Sequence, residues 1–148
     1  MAMISEGRLN DNVAIAGVIQ SQAITAGATG VLTAAIDMSK FSNLVAVIES
    51  GTLGTSGTLD AKFVESDASG GTYTAISGRA ITQLVKATDD NKVCLLELKA
   101  SNIGSGKRYV KLNLVAGTAN ATSAAVVLGV PLGGYDGNDN NVTIAEAV

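Results

Sequence analysis

Apolar and polar residues follow one another along this chain in short runs, separated by turns rich in Gly, Ser, Thr and Asn. That is the period-2 signature of strands. The clearest run is Lys107 to Ala116, with Val110, Leu112 and Leu114 facing in and Lys111 and Asn113 facing out. A second has Leu59, Ala61 and Phe63 facing in against Thr58, Asp60 and Lys62. Val93 to Lys99 puts Cys94, Leu96 and Leu98 on one face and Val93, Leu95 and Glu97 on the other. From Leu44, the positions Leu44, Ala46 and Ile48 alternate with Val45, Val47 and Glu49, which predicts a strand buried on both faces for most of its length.

Weaker runs complete the set. Val13 to Ile19, Val31 to Met38, Thr72 to Ile76 and Ala124 to Leu132 are read as strands, the last made of small residues and ending near Pro131. Ser66 to Gly71 reads as the turn of a hairpin, and Ser50 to Gly57 as a Gly/Thr loop. Ile81, Leu84 and Val85 are spaced i, i+3, i+4, so Gly78 to Lys86 reads as one or two helical turns or as a bent strand. Thr88 to Asn91 is a turn. No amphipathic run of crossover-helix length separates the strands, which favours a sandwich or barrel over a parallel α/β sheet. The expected architecture is all-β, a single-domain antiparallel β-sandwich spanning 31–132, with an N-terminal arm and first strand at 1–30 and a polar, acidic tail at 133–148.

Composition narrows the chemistry. With 148 residues, 47% hydrophobic and 16% charged, the chain can bury a core and does not have a disordered composition. Its apolar content is aliphatic, since Trp is absent and Phe and Tyr are few. A net charge of −3 argues against a nucleic-acid binder that works by neutralising phosphates. The single Cys94 rules out an intrachain disulfide framework. The stretch Ala124 to Gly134 is too short to cross a bilayer, and Met1 to Asn12 shows no secretory leader, so a soluble intracellular product with no membrane partner is expected.

His does not occur, which removes the commonest general base and the usual triads. Cys94, in an apolar strand, is expected to be an inert core thiol. Asp89 and Asp90 are adjacent carboxylates, but they sit in a turn where solvated turn chemistry explains them. No Ser–Lys dyad is singled out, and Gly51 to Gly57 lacks the ending of a phosphate loop. Asp136, Asn138 and Asn140 alternate like the start of a calcium loop. Asn141 stands where Gly is required, however, and Ala147 where Glu is required, so a turn-forming tail is the better reading. The sequons at Asn120 and Asn141 read as chance matches. No catalytic residue, metal site or cofactor is expected. Tyr109 is expected in core or rim packing, and Tyr135 as a contact residue.

Three segments carry a resemblance. Asp37-Met38-Ser39-Lys40-Phe41 precedes a strand, Glu65-Ser66-Asp67-Ala68-Ser69 follows one, and Lys107-Arg108-Tyr109-Val110 opens a third, with a final strand ending at Pro131. Over Asp37 to Leu132 the chain resembles the capsid decoration, or cement, proteins of tailed bacteriophages. The resemblance implies a jelly-roll-like sandwich, a homotrimer, and the major capsid protein as partner. It further implies a location on the virion exterior after synthesis in the host cytoplasm, and stabilisation of the shell by bridging capsomers. Arg8, Tyr135, Asp136 and Asp139, on the arm and tail, are the candidate capsid or subunit contacts. The competing reading is a phage spike or adhesin, or a surface β-domain, binding a host receptor or glycan; the shortage of aromatic residues tilts against glycans.

Overall fold

A computed structural model of the chain describes residues 12–133. These form two antiparallel sheets. The first has four strands in the order β1 (Ala14–Ile24), β10 (Ala121–Pro131), β4 (Phe41–Leu53) and β8 (Lys92–Lys99). In the second, β9 (Tyr109–Ala116) pairs with β5 (Thr58–Ser66). The short β2 (Val31–Leu32) and β3 (Ile36–Asp37) lie on the outer side of β9, and β6 (Thr74–Ala80) and β7 (Leu84–Val85) on the outer side of β5. Because β2 and β3 act as one broken strand, and β6 and β7 as another, the sandwich has four strand positions per sheet. The chain changes sheet at every connection except β5 to β6 and its continuation β7. This is the jelly-roll order, and the all-β sandwich read from the alternation is the architecture observed.

The core lies between the sheets. Phe63, Leu59, Leu112 and Leu114 from the second sheet meet Leu44, Ile48, Leu98 and Val127 from the first, all essentially without solvent exposure. Alternation dictates this packing, since successive strand side chains point to opposite faces. A small residue also lets neighbouring strands of one sheet pack closely. A Cβ on Gly129 would lie 2.5 Å from the Phe41 ring, so a bare backbone there lets the ring lie against β10.

Several local readings are corrected. The run Val31 to Met38 is broken into β2 and β3, and the buried Thr33 between them accepts a hydrogen bond on Oγ1 from the Leu112 N–H at 3.1 Å. The strand placed at Thr72–Ile76 runs from Thr74 to Ala80. Of the two alternatives for Gly78 to Lys86, the extended one holds; a helical turn follows, at Lys86–Asp89. Asn113, expected outside, is 9% exposed. Its Nδ2 donates to the Thr29 carbonyl at 3.4 Å, because the loop leading into β2 folds over it. That loop passes through Gly30 at φ +97°, where a Cβ would collide with Asn113 Oδ1 and the Leu114 carbonyl.

Each end of the sandwich is closed by a polar staple. At one end Asp37 takes a bidentate pair of hydrogen bonds from Arg108, 2.9 Å from Nε and 2.7 Å from Nη2, and two more from the Ser39 N–H and hydroxyl at 3.0 and 2.8 Å. The Arg108 guanidinium is the main reason the Asp37 carboxyl is held well below the usual carboxylate range; the Ser39 bonds add to it. At the other end Asn120 accepts from the Ala26 N–H at 2.9 Å, and its own carbonyl accepts from Gly54 at 2.9 Å. Asp90 there accepts from the Leu53 N–H at 2.9 Å and from Lys86 Nζ at 2.8 Å.

Asp37→Asn is expected to cost about 1–2 kcal/mol at neutral pH, at the low end for bonds to a charged group because Arg108 is half exposed. A carboxylate with a depressed folded pKa stabilises the fold above its unfolded value and loses that contribution as pH falls toward the folded one. The difference between the two chains therefore narrows below about pH 4. Denaturant titrations of both chains from neutral to strongly acidic pH check this; a constant gap would show that the ion pair contributes nothing.

Candidate functional site

The four strands of the first sheet bury one face against the second sheet and turn the other to solvent. Register aligns the outward residues in rows across the sheet. Ile15 lies opposite Leu128, Leu128 opposite Val45, and Val45 opposite Glu97. The next row is Val18, Val126, Val47 and Leu95. Ala124, Glu49 and Val93 follow. Toward the other end, Val130, Asn43 and Lys99 close the pattern. Two of these rows are aliphatic for three or four positions in succession, and most of the side chains are β-branched. Branching at Cβ suits a pleated surface and leaves few rotamers to lose on contact.

Leu95 is 67% exposed, Val93 62% and Val130 43%. Val45, Val47, Val126 and Leu128 are half-buried. Toward the end where β1 begins and β10 finishes, the face dips into a shallow depression of about 510 Å³, bounded by Val13, Val45, Leu95, Leu128 and Val130, with Asn43 and Glu97 among its polar lining. With strands about 4.8 Å apart and alternate residues about 6.8 Å apart, four strands and four rows cover on the order of 500 Å². The two aliphatic rows make up about half of that, close to the lower end of the roughly 300–600 Å² of the largest apolar patch of an ordinary monomer. The expectation that β4 is buried on both faces is therefore corrected: among the described residues Val45 and Val47 are only half-buried.

The other candidate groups are engaged in structural work. Asp89 accepts from the Val85 N–H at 2.9 Å, so both carboxylates of the Asp89–Asp90 pair hold their own loops. Lys86, through its ammonium bond, and the Leu53 N–H lower the pKa of Asp90. Ser50, fully buried, donates to the Asp89 carbonyl and accepts from the Lys92 N–H at 3.0 Å, fixing that loop to β4. Cys94 packs against the core as expected, but on the edge strand β8 it is only half-buried. Burial, and then the Asp89 charge, push its thiol pKa up, which makes it a poor nucleophile at neutral pH. Tyr109 is half-buried beside the Arg108 guanidinium, 5.3 Å from its ring centre, and Tyr73 sits under Lys111 at 4.4 Å. Among the described residues no three metal-binding side chains cluster, and no helix is long and apolar enough to cross a membrane.

Arg8, Tyr135, Asp136 and Asp139, together with the calcium-like run at 136–141, lie outside the described residues. The segments carrying them join the body at Asn12 and Gly133, at the same end of the sandwich, since Ala14 pairs with Gly129. The aliphatic face itself was not singled out from the sequence. The signal was present: Val13–Ile19, Leu44–Ile48, Val93–Leu98 and Ala124–Leu132 all carry apolar residues on both parities, and these four strands pair with one another.

No protein-family model and no curated protein matches the chain. Solved structures similar in shape include the following three. The SPBc2 prophage-derived protein YomS is 18% identical with a TM-score of 0.37, covering 74% of this chain and 94% of that one. The infectious bursal disease virus VP2 subviral particle is 18% identical with a TM-score of 0.44, and the match covers 84% of this chain but 33% of that one. The Eiger TNF of S. frugiperda is 9% identical with a TM-score of 0.39, covering 84% and 93%. At these identities and scores none of them assigns a role to this chain.

Neighbouring valines on β10 test the assignment of faces. Val127→Ala, on the buried side, is expected to cost about 2–3 kcal/mol, whereas Val126→Ala on the open side costs under about 1 kcal/mol. Denaturant unfolding of the dilute chains measures both; equal losses would mean that the outer face is covered within the single chain.

Proposed function

We propose that this chain is a structural protein of a bacteriophage virion, which assembles on the outside of the capsid and strengthens it by bridging capsomers. The observation that carries the reading is the wide aliphatic face of the four-stranded sheet: a rigid sandwich with such a face works by burying area against other subunits. Its polar groups support this, since Asp37, Ser50, Asp89 and Asp90 are spent on holding loops in place.

The segments behind the resemblance to decoration proteins also converge in space. Asp37 of the first, itself bonded by Ser39, accepts from Arg108 of the third, and the Ser66 carbonyl of the second accepts from the Arg108 N–H at 3.0 Å. They build one end of the sandwich, the end from which the arm bearing Arg8 and the tail bearing Tyr135, Asp136 and Asp139 depart. In the proposed arrangement that end meets the major capsid protein, and the assembled form is a homotrimer in which each copy engages a different capsomer. A bridge of this kind acts by multivalency: each contact is modest, but all must open before capsomers separate. No cofactor or chemical step is required.

Purified capsids lacking the protein provide the test. The chain is expected to co-sediment with them saturably and to raise the temperature at which they disrupt. Removing residues 1–11 and 134–148 together is expected to reduce binding by tenfold or more, an effect of about 1.4 kcal/mol or above. Failure to bind capsids, or binding that leaves their thermal disruption unchanged, would overturn the reading.

A further inference from the structure

We propose that the outer face of the four-stranded sheet is the surface through which copies of this chain associate with one another, with the Val18–Val126–Val47–Leu95 row at its centre. The inference rests on the structural role proposed above and names the partner of that face.

Three observations select a second copy over a different protein. The first is chemical. Around Val45, Val47, Val126 and Leu128 the face presents branched aliphatic side chains, while its polar groups, Glu49, Glu97, Asn43 and Lys99, lie in the outer rows or on the edge strand. Interfaces between partners that meet transiently are about as polar as ordinary surface and use aromatic and Arg anchors, whereas permanent contacts between like chains resemble a domain core cut in half. This face is of the second kind.

The second observation is one of size. A face of roughly 500 Å² in projection exposes more than that once the pleat and side chains are counted, close to the ~800 Å² per partner of a standard stable interface. The third concerns timing. A contiguous aliphatic face left open before any shell exists is an aggregation hazard. Another copy of the same chain is available from synthesis onward and can cover it at once.

Sedimentation equilibrium of the full chain at micromolar concentration tests the inference. The wild type is expected to be oligomeric. Val47→Lys, which places a charge at the centre of an apolar contact, is expected to yield monomers with an unchanged far-UV spectrum. Should that variant fail to fold, Leu95→Ala decides the matter: on an edge strand with its side chain 67% exposed, it leaves the core intact and is expected to weaken association about tenfold or more. A wild type that is monomeric, or variants that associate as the wild type does, would overturn the proposal. So would a monomeric wild type that becomes oligomeric once residues 134–148 are deleted, since the tail would then be the occupant. A monomer that still binds capsids removes this inference alone; an oligomer formed through the face that ignores capsids removes the capsid role alone.

Discussion

A sheet has two faces, and in a two-layer sandwich the second sheet can cover only one of them. Everything distinctive in this protein follows from that limit acting on strands that are aliphatic on both sides. The second sheet seals Leu44, Ala46, Ile48, Leu98 and Val127 into the core. It has no further surface to offer Val45, Val47, Leu95 and Val126, which among the described residues are half-buried or exposed. The second sheet obeys a different rule: Asp60, Lys62 and Lys111 line its outer side, so one layer of strands is enough to satisfy it.

The same contrast explains what could be read from the chain and what could not. For β5 and β9 the inward sets Leu59, Ala61, Phe63 and Val110, Leu112, Leu114 lie in the core as their period dictates. For β4, apolar residues on both parities were compatible with burial on both sides. Periodicity reports that a face is apolar; it does not report whether this chain or another covers it. Asn113 failed for a different reason, because a loop joined through Gly30 lies across it, and no strand pattern anticipates where a distant loop settles. The break between β2 and β3 likewise depends on Thr33 bonding to β9, a partner about eighty positions away.

Candidate chemistry was legible mainly as residue types, while the purpose of those residues came from geometry. Adjacent Asp89 and Asp90 look alike in sequence, yet one braces Val85 and the other Leu53 and Lys86. Asp37 and Arg108, 71 positions apart, meet in a bidentate pair that ties the turn before β4 to the start of β9. Such pairs place backbone and loops.

The shared exit of the two chain ends has a mechanical consequence. β1 and β10 are antiparallel neighbours, and the chain enters the first and leaves the second at one end of the sheet. Tension applied through both terminal segments would load the rungs between those strands singly, beginning at Ala14 and Gly129, and peel them apart like a zipper. Tension shared between the body and one segment would instead load a whole strand's hydrogen bonds together, in shear. A tether that pulls on only one of its two ends would therefore hold far longer under strain.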